Sequence, residues 1–162
     1  MIWNFLKPVL IFIPLATLQL VIVPLITVYD IAPNLILILI VYYTLIYGQI
    51  FGIIAGFVLG LLFDLISGSM IGASSLAFTV SAFIAGYFYN ENKIDINTAS
   101  FLFVIILFLC GVVNSFLYSS VMTNNPDVNF VTLILDIGIL PGLYTAALGL
   151  PVIILKPKKG IV

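Results

Sequence analysis

From Ile31 to Phe63 the chain carries no charged residue and little that is polar: IAPNLILILIVYYTLIYGQIFGIIAGFVLGLLF. A helix needs ~20 apolar residues to cross a ~30 Å hydrocarbon core. This run is longer than one crossing, and its one turn signal is Gly48 followed by Gln49. The sequence therefore predicts a tight helical hairpin with spans at 33–47 and 48–66. The first of these would be about 22 Å long at ~1.5 Å per residue, too short to cross without help from its neighbours.

Four further apolar runs, at 5–28, 70–89, 98–121 and 128–155, are read as spans in the same way. Composition agrees, since 64% of residues are hydrophobic and 7% charged. A soluble domain carries about a quarter charged residues, so this chain could not cover a water-facing surface. The expected fold is an all-α integral membrane protein, a six-transmembrane-helix bundle forming a single polytopic domain over 1–162. Lys7 ahead of an apolar run could suggest a signal peptide. The run is too long for that and holds Pro8, Pro14 and Pro24 without a small-x-small cleavage site, so it reads as a retained anchor.

Lysine placement sets the orientation. With the amino terminus inside, Lys7, Lys93, Lys156, Lys158 and Lys159 are all cytoplasmic, while Asp30 and Asp127 lie outside. Both termini are then cytoplasmic and the number of spans is even. Trp3, Tyr43, Tyr47, Tyr87 and Tyr89 fall at the inner interface and Tyr29 and Tyr118 at the outer one, where amphipathic rings settle. The short loops leave no soluble domain.

Within the third span, Gly48, Gly52, Gly56 and Gly60 recur every fourth residue, and Asp64 stands where the next would be. Lipid offers no hydrophobic drive for helices to associate, so they rely on close backbone approach and hydrogen bonds. Each four-residue step turns about 400°, which gives a groove drifting by about 40° per step. Such a groove suits a partner crossing at about −40° and predicts that the third span is the centre of the bundle. Asp64, near the negative end of its helix dipole, either reaches water, caps the next helix across SGSMIG, or is a buried functional or structural carboxylate. Asp136, Asn114 and Gln19 are the other strongly polar candidates within spans. Asp64, Asn114 and Asp136 count to the outer half of the membrane. No lysine or arginine is available there, and Asp136 is expected to be hydrogen-bonded. Two carboxyls on separate helices could also form a proton relay or an ion site, though no spacing specifies one.

The chain has no histidine, no arginine and one cysteine, Cys110, in an apolar run. Metal-assisted and phosphate chemistry need clustered aspartates, His or Arg. No catalytic residue, metal or cofactor is therefore expected, no disulfide can form within the chain, and no basic patch points to nucleic acid. No charged ring or filter loop suggests a channel.

The stretch APNLILILIVYYTLIYGQIFGIIAGFVLGLLFDLISGSMIGASSL resembles the MreD family of rod shape-determining proteins. The resemblance rests on Pro33, Tyr42 or Tyr43, the glycine steps at Gly48, Gly52, Gly56 and Gly60, Phe57, the Gly60-Leu61-Leu62-x-Asp64 close, and the Gly68-x-x-x-Gly72 turn. It implies a non-enzymatic scaffold of the bacterial cell-elongation machinery, in the cytoplasmic membrane. It also implies an MreC-like bitopic partner, with links to a RodA-type glycosyltransferase, its penicillin-binding transpeptidase and MreB filaments. An alternative is a small-molecule-binding subunit of an energy-coupling-factor-type vitamin transporter, which the family is similar to in overall shape. Asp64, Asn114 and Asp136 would then line a pocket. Against it, the first span lacks the Ala-x-x-x-Ala pair such subunits present to their transport partner and offers only Ala16.

Overall fold

The computed structural model describes residues 2–27, 31–122 and 138–155. The described chain is all helical apart from its turns. Its elements are α1 (Ile2–Val21), α2 (Val23–Ile26), α3 (Leu35–Tyr47), α4 (Gln49–Ser67), α5 (Ala73–Gly86), a 3₁₀ turn (Glu91–Lys93), α6 (Ile94–Ala99), α7 (Phe101–Met122) and α8 (Leu140–Leu155). Among the described residues, α4 and α7 are long and apolar enough to cross a membrane. Shorter apolar helices occupy Lys7–Val21, Leu35–Tyr47, Ala73–Gly86 and Leu140–Ile153.

Local chemistry explains the breaks. α1 carries Pro8 and Pro14, and Pro24 opens the separate turn α2. A proline lacks the N–H that would continue the helical ladder, so the run expected at 5–28 is divided after Val21. Gly48 adopts φ 94°, a conformation that glycine alone takes readily, and its N–H donates to the Thr44 carbonyl at 2.9 Å. It turns the chain directly from α3 into α4, at the expected hairpin. Pro33 does not open α3. The cap is Asn34, whose Oδ1 accepts from the Leu37 N–H at 3.0 Å.

The helices pack antiparallel, with two distinct ends. At one end, Gly48 faces the Tyr89 ring, Gln49 Nε2 donates to the Phe83 carbonyl at 2.9 Å, and Asn97 Nδ2 donates to the Phe88 carbonyl at 2.6 Å. This Gly48 end gathers the close of α3, the start of α4, the close of α5 and α6. The Asp64 end gathers the opposite termini.

The centre of the bundle is α3, not α4 as the glycine steps suggested. Ile36 to Val41, Tyr43, Thr44 and Leu45 are all buried, so this helix is enclosed on every side. It packs against α1, α4, α5, α6, α7 and α8. By contrast α4 buries one side and exposes Ile50, Ile54, Phe57, Val58, Leu62, Leu65 and Ile66 on the other. Close backbone approach on one face does not enclose a helix, and the large residues of α4 lie opposite its glycines. Tyr43, placed at an interface by its sequence position, is also buried, and its ring stacks on Tyr47 at 5.8 Å.

Exposed apolar side chains such as Leu25, Ile50 and Phe101 cover the outside, while Thr44, Asp64, Ser74, Ser81, Asn114 and Thr145 are buried within. Water would penalise so broad an apolar shell, and lipid would not. The chain is a membrane-associated helical protein. Inside it, hydroxyls bond across helices as expected where lipid supplies no partner. Ser81 Oγ donates to the Ala77 carbonyl of its own helix at 2.8 Å and shares that proton with the Cys110 carbonyl at 3.2 Å, and the buried Cys110 thiol donates to the Ser81 carbonyl at 3.5 Å, joining α5 to α7.

Candidate functional site

Asp64 lies in the last turn of α4 and is fully buried. Gly68 closes that helix in the left-handed conformation at φ 67°, and Gly72 precedes α5 at φ 99°. These two turns fold Ser69-Met70-Ile71 back over the carboxylate. Asp64 Oδ1 then accepts from Ser69 Oγ at 3.0 Å and from the Ser74 N–H at 3.2 Å, while Oδ2 accepts from the Gly72 N–H at 2.8 Å. Ser67 Oγ donates to Ser69 Oγ at 2.9 Å and completes the cluster. Two of the donors are backbone groups opening α5, which an isolated helix start leaves unsatisfied. Of the readings open for Asp64, the geometry is that of a cap on the next helix. The Tyr118 phenol of α7 is within reach of Ser69 and of the carboxylate's field.

The glycine steps divide among three surroundings. Gly48 is the turn described above. A Cβ on Gly52 would collide with Thr44 Oγ1 of α3. One on Gly56 would lie 2.9 Å from the Phe78 carbonyl oxygen, and one on Gly60 would collide with the Ser75 backbone, both in α5. Ser75 Oγ also donates to the Phe57 carbonyl at 3.0 Å across the same contact. The drift of the stripe around α4 thus gives one rung to α3 and two to α5, with Asp64 continuing toward α5.

Gln19 bridges α1 to the start of α3. Its Nε2 donates to the Pro33 carbonyl at 2.9 Å and its Oε1 accepts from the Leu35 N–H at 2.8 Å. The Asn34 N–H donates to Thr145 Oγ1 of α8 at 3.0 Å, and Tyr144 OH donates to the Ile26 carbonyl at 2.8 Å. Above α3 these contacts leave a cavity of about 380 Å³ at the Asp64 end, walled by Gln19, Asn34, Ser74, Asn114, Tyr118 and Pro141 among others. Asn114 is 4% exposed, and its Oδ1 is buried with no hydrogen-bond partner among the described residues. The structure therefore brings Gln19 and Asn114 to one cavity, with Asp64 behind its Ser74 and Tyr118 wall. Asp136 lies outside the described residues, as do Tyr29, Asp30, Asp127, Lys156, Lys158 and Lys159.

The family model for the rod shape-determining protein MreD matches residues 1–158, nearly the whole chain. The chain belongs to the MreD family. No curated protein and no solved structure matched it. Membership in the MreD family makes the chain a non-catalytic component associated with cell shape and cell-wall biogenesis. Among the described residues no three His, Cys, Asp or Glu side chains group as metal ligands.

Sequence reasoning missed several residues of this MreD-family bundle. Ser69, Ser74 and Tyr118 complete the surroundings of Asp64, and the serines beside Gly68 and Gly72 were a visible signal for the first two. Gly111 and Gly142 bring α7 and α8 together, since a Cβ on Gly111 would lie 2.9 Å from the Gly142 Cα. Gly111 stands alone in its run, and Gly142 follows Gly138 by four residues, but nothing in either run marked the two as partners. Gly86 likewise accommodates Gln49.

Proposed function

We propose that the chain is a contact-making scaffold of the cell-elongation machinery, a six-span bundle in the bacterial cytoplasmic membrane with both termini inside. In this reading it binds an MreC-like bitopic protein. Through it or directly, the chain connects a RodA-type glycosyltransferase and its penicillin-binding transpeptidase with MreB filaments. The observation that carries the reading is the MreD family match over residues 1–158.

The bundle supports it. α1 with α2, α3, α4, α5, α7 and α8 alternate between the two ends and form one polytopic domain. Lys7 and Lys93 are both exposed toward the Gly48 end, which is the cytoplasmic end if positive residues stay inside. Gly52, Gly56 and Gly60 hold α4 against α3 and α5, with Gly48 as the turn. Asp64 holds the outer turn, and Gln19 holds the entry to α3. The apolar outer faces of α4 and α7 are then free for partner helices.

Gentle solubilisation of the tagged chain from its native membrane, with mass spectrometry of what co-purifies, tests this. Recovery of a bitopic MreC-like protein with synthases of the RodA type is the expected result. Recovery of a transport ATPase pair would overturn it in favour of the vitamin-transporter subunit. That second reading is weakened by Ala16, which is 2% exposed and packed into the chain's own core. It is therefore not offered to a transport partner.

A further inference from the structure

α1 lies against α3 and α4 and carries Pro8 and Pro14 within its length. Its contact with α4 is not closed. A cleft of about 150 Å³ remains between the two helices, walled by Pro8, Val9, Ile54, Ala55, Val58 and Leu59. Pro8, Ala55 and Leu59 are buried and form its floor, whereas Ile54 and Val58 are nearly half exposed and form its rim. The floor sinks at Ala55, where a methyl group stands among the larger side chains of Ile54, Val58 and Leu59.

We infer that this cleft seats one acyl chain of an anionic phospholipid, with the head group held by Lys7. Polarity comes first. All six walls are apolar side chains, so nothing in the cleft would compensate a polar ligand for its lost hydration. A gap on a lipid-facing surface forfeits dispersion contact unless an apolar group enters it.

Size then selects the group. An α-helix is about 10–12 Å across with its side chains and would ride over a cleft of this volume. A single acyl chain enters it, since 150 Å³ takes roughly five methylenes, judged against the ~30 Å³ share of a water.

Charge selects the head group. Lys7 adjoins Pro8 and is exposed at the same Gly48 end. A lysine so placed keeps its aliphatic stem on apolar surface while its ammonium reaches the head groups, where it attracts anionic lipid. Glu91 and Asp95 belong to the connection from α5 to α7, whereas the cleft belongs to α1 and α4. None of this depends on the scaffold reading, only on the chain sitting in lipid.

The test uses the full chain in phosphatidylcholine nanodiscs and in its native membrane vesicles. Each receives a trace of phosphatidylglycerol or phosphatidylcholine with a photoactivatable diazirine in one acyl chain. Cross-links are mapped by peptide mass spectrometry. At Val9, Ile54 and Val58 the phosphatidylglycerol probe should label about fivefold more than the phosphatidylcholine probe, the worth of one lysine against an anionic lipid. At Phe57, Leu62 and Leu65, on the open face of α4, the two probes should label equally. Lys7→Gln should bring the first probe down to the level of the second. Val58→Trp fills the cleft and should remove the excess at Val9 and Ile54. Both positions are exposed, so both variants keep the bundle. Equal labelling of the cleft and the open face by both probes would mean an ordinary lipid shell and overturn the inference. So would a preference that survives Lys7→Gln, or an excess that survives Val58→Trp. A cleft unlabelled in native vesicles while the open face is labelled would place a protein side chain there, and overturn it too. None of these results bears on which proteins co-purify with the chain.

Discussion

Asp64 and Asn114 are buried polar residues at the same end of one bundle, yet their surroundings are opposite. Asp64 accepts three hydrogen bonds from Ser69, Gly72 and Ser74. Asn114 has an oxygen with none among the described residues. The difference is one of chain geometry. The partners of Asp64 come from the next ten residues, because α4 ends just beyond it and the turn folds back. Asn114 stands within α7, where nearby backbone groups are already paired, so a partner for it would have to come from another element.

Mutations should separate the two regions. The largest effect is expected on the Asp64 side, from Gly60→Leu. Its side chain would enter the Ser75 backbone, which cannot yield as a flexible side chain would. Overpacking typically destabilises by about 1–3 kcal/mol, and a backbone obstacle should exceed that. Loss of the monodisperse peak in detergent chromatography is the readout, and a wild-type profile would contradict the close contact of α4 with α5.

Asp64→Ala should follow. It strands donors that each carry a penalty of about 1–3 kcal/mol when left buried, with partial relief from water. A thermal-melting loss of about 2–4 kcal/mol is expected, and Asp64→Asn, which keeps one acceptor, should lose about half as much. Equal melting of wild type and the alanine variant would mean that the carboxylate does not hold the turn.

Gly68→Ala isolates the turn from its hydrogen bonds. An added Cβ meets nothing within 4 Å, so only the left-handed backbone at φ 67° is taxed. About 1–2 kcal/mol is expected, and a neutral result would show that the turn relaxes. The smallest change should come from Asn114→Leu. Removing an unpaired buried acceptor should leave stability within about 1 kcal/mol of wild type or raise it. A loss as large as that of Asp64→Ala would show that Asn114 is structural after all and erase the contrast between the two sites.

Much of the local architecture was legible. Gly48 followed by Gln49 marked the α3–α4 turn because a conformation at positive φ selects glycine there. Cap formation by Asp64 across SGSMIG was one of the readings open for it, since the spacing of Gly68 and Gly72 belongs to a short turn. What could not be read depended on distant pairs. The Gly111–Gly142 approach joins glycines of two separate runs, and Gln19 was visible as a polar residue in a span but not as the bridge to Pro33 and Leu35. The glycine steps pointed to α4 as the centre because they report close contact, whereas centrality depends on how many helices surround an element.

The amino-acid sequence by itself determined that this is a helical, membrane-associated chain with neither histidine nor arginine, and where its tight turns lie. Those properties follow from composition and from interactions within a few residues. Tertiary structure decided that α3 is enclosed, that the glycines of α4 serve two neighbours, and that the Asn114 oxygen is buried without a partner among the described residues. Burial and hydrogen-bond satisfaction are properties of surroundings, and the surroundings of α3 and Asn114 are assembled from helices far apart in the chain.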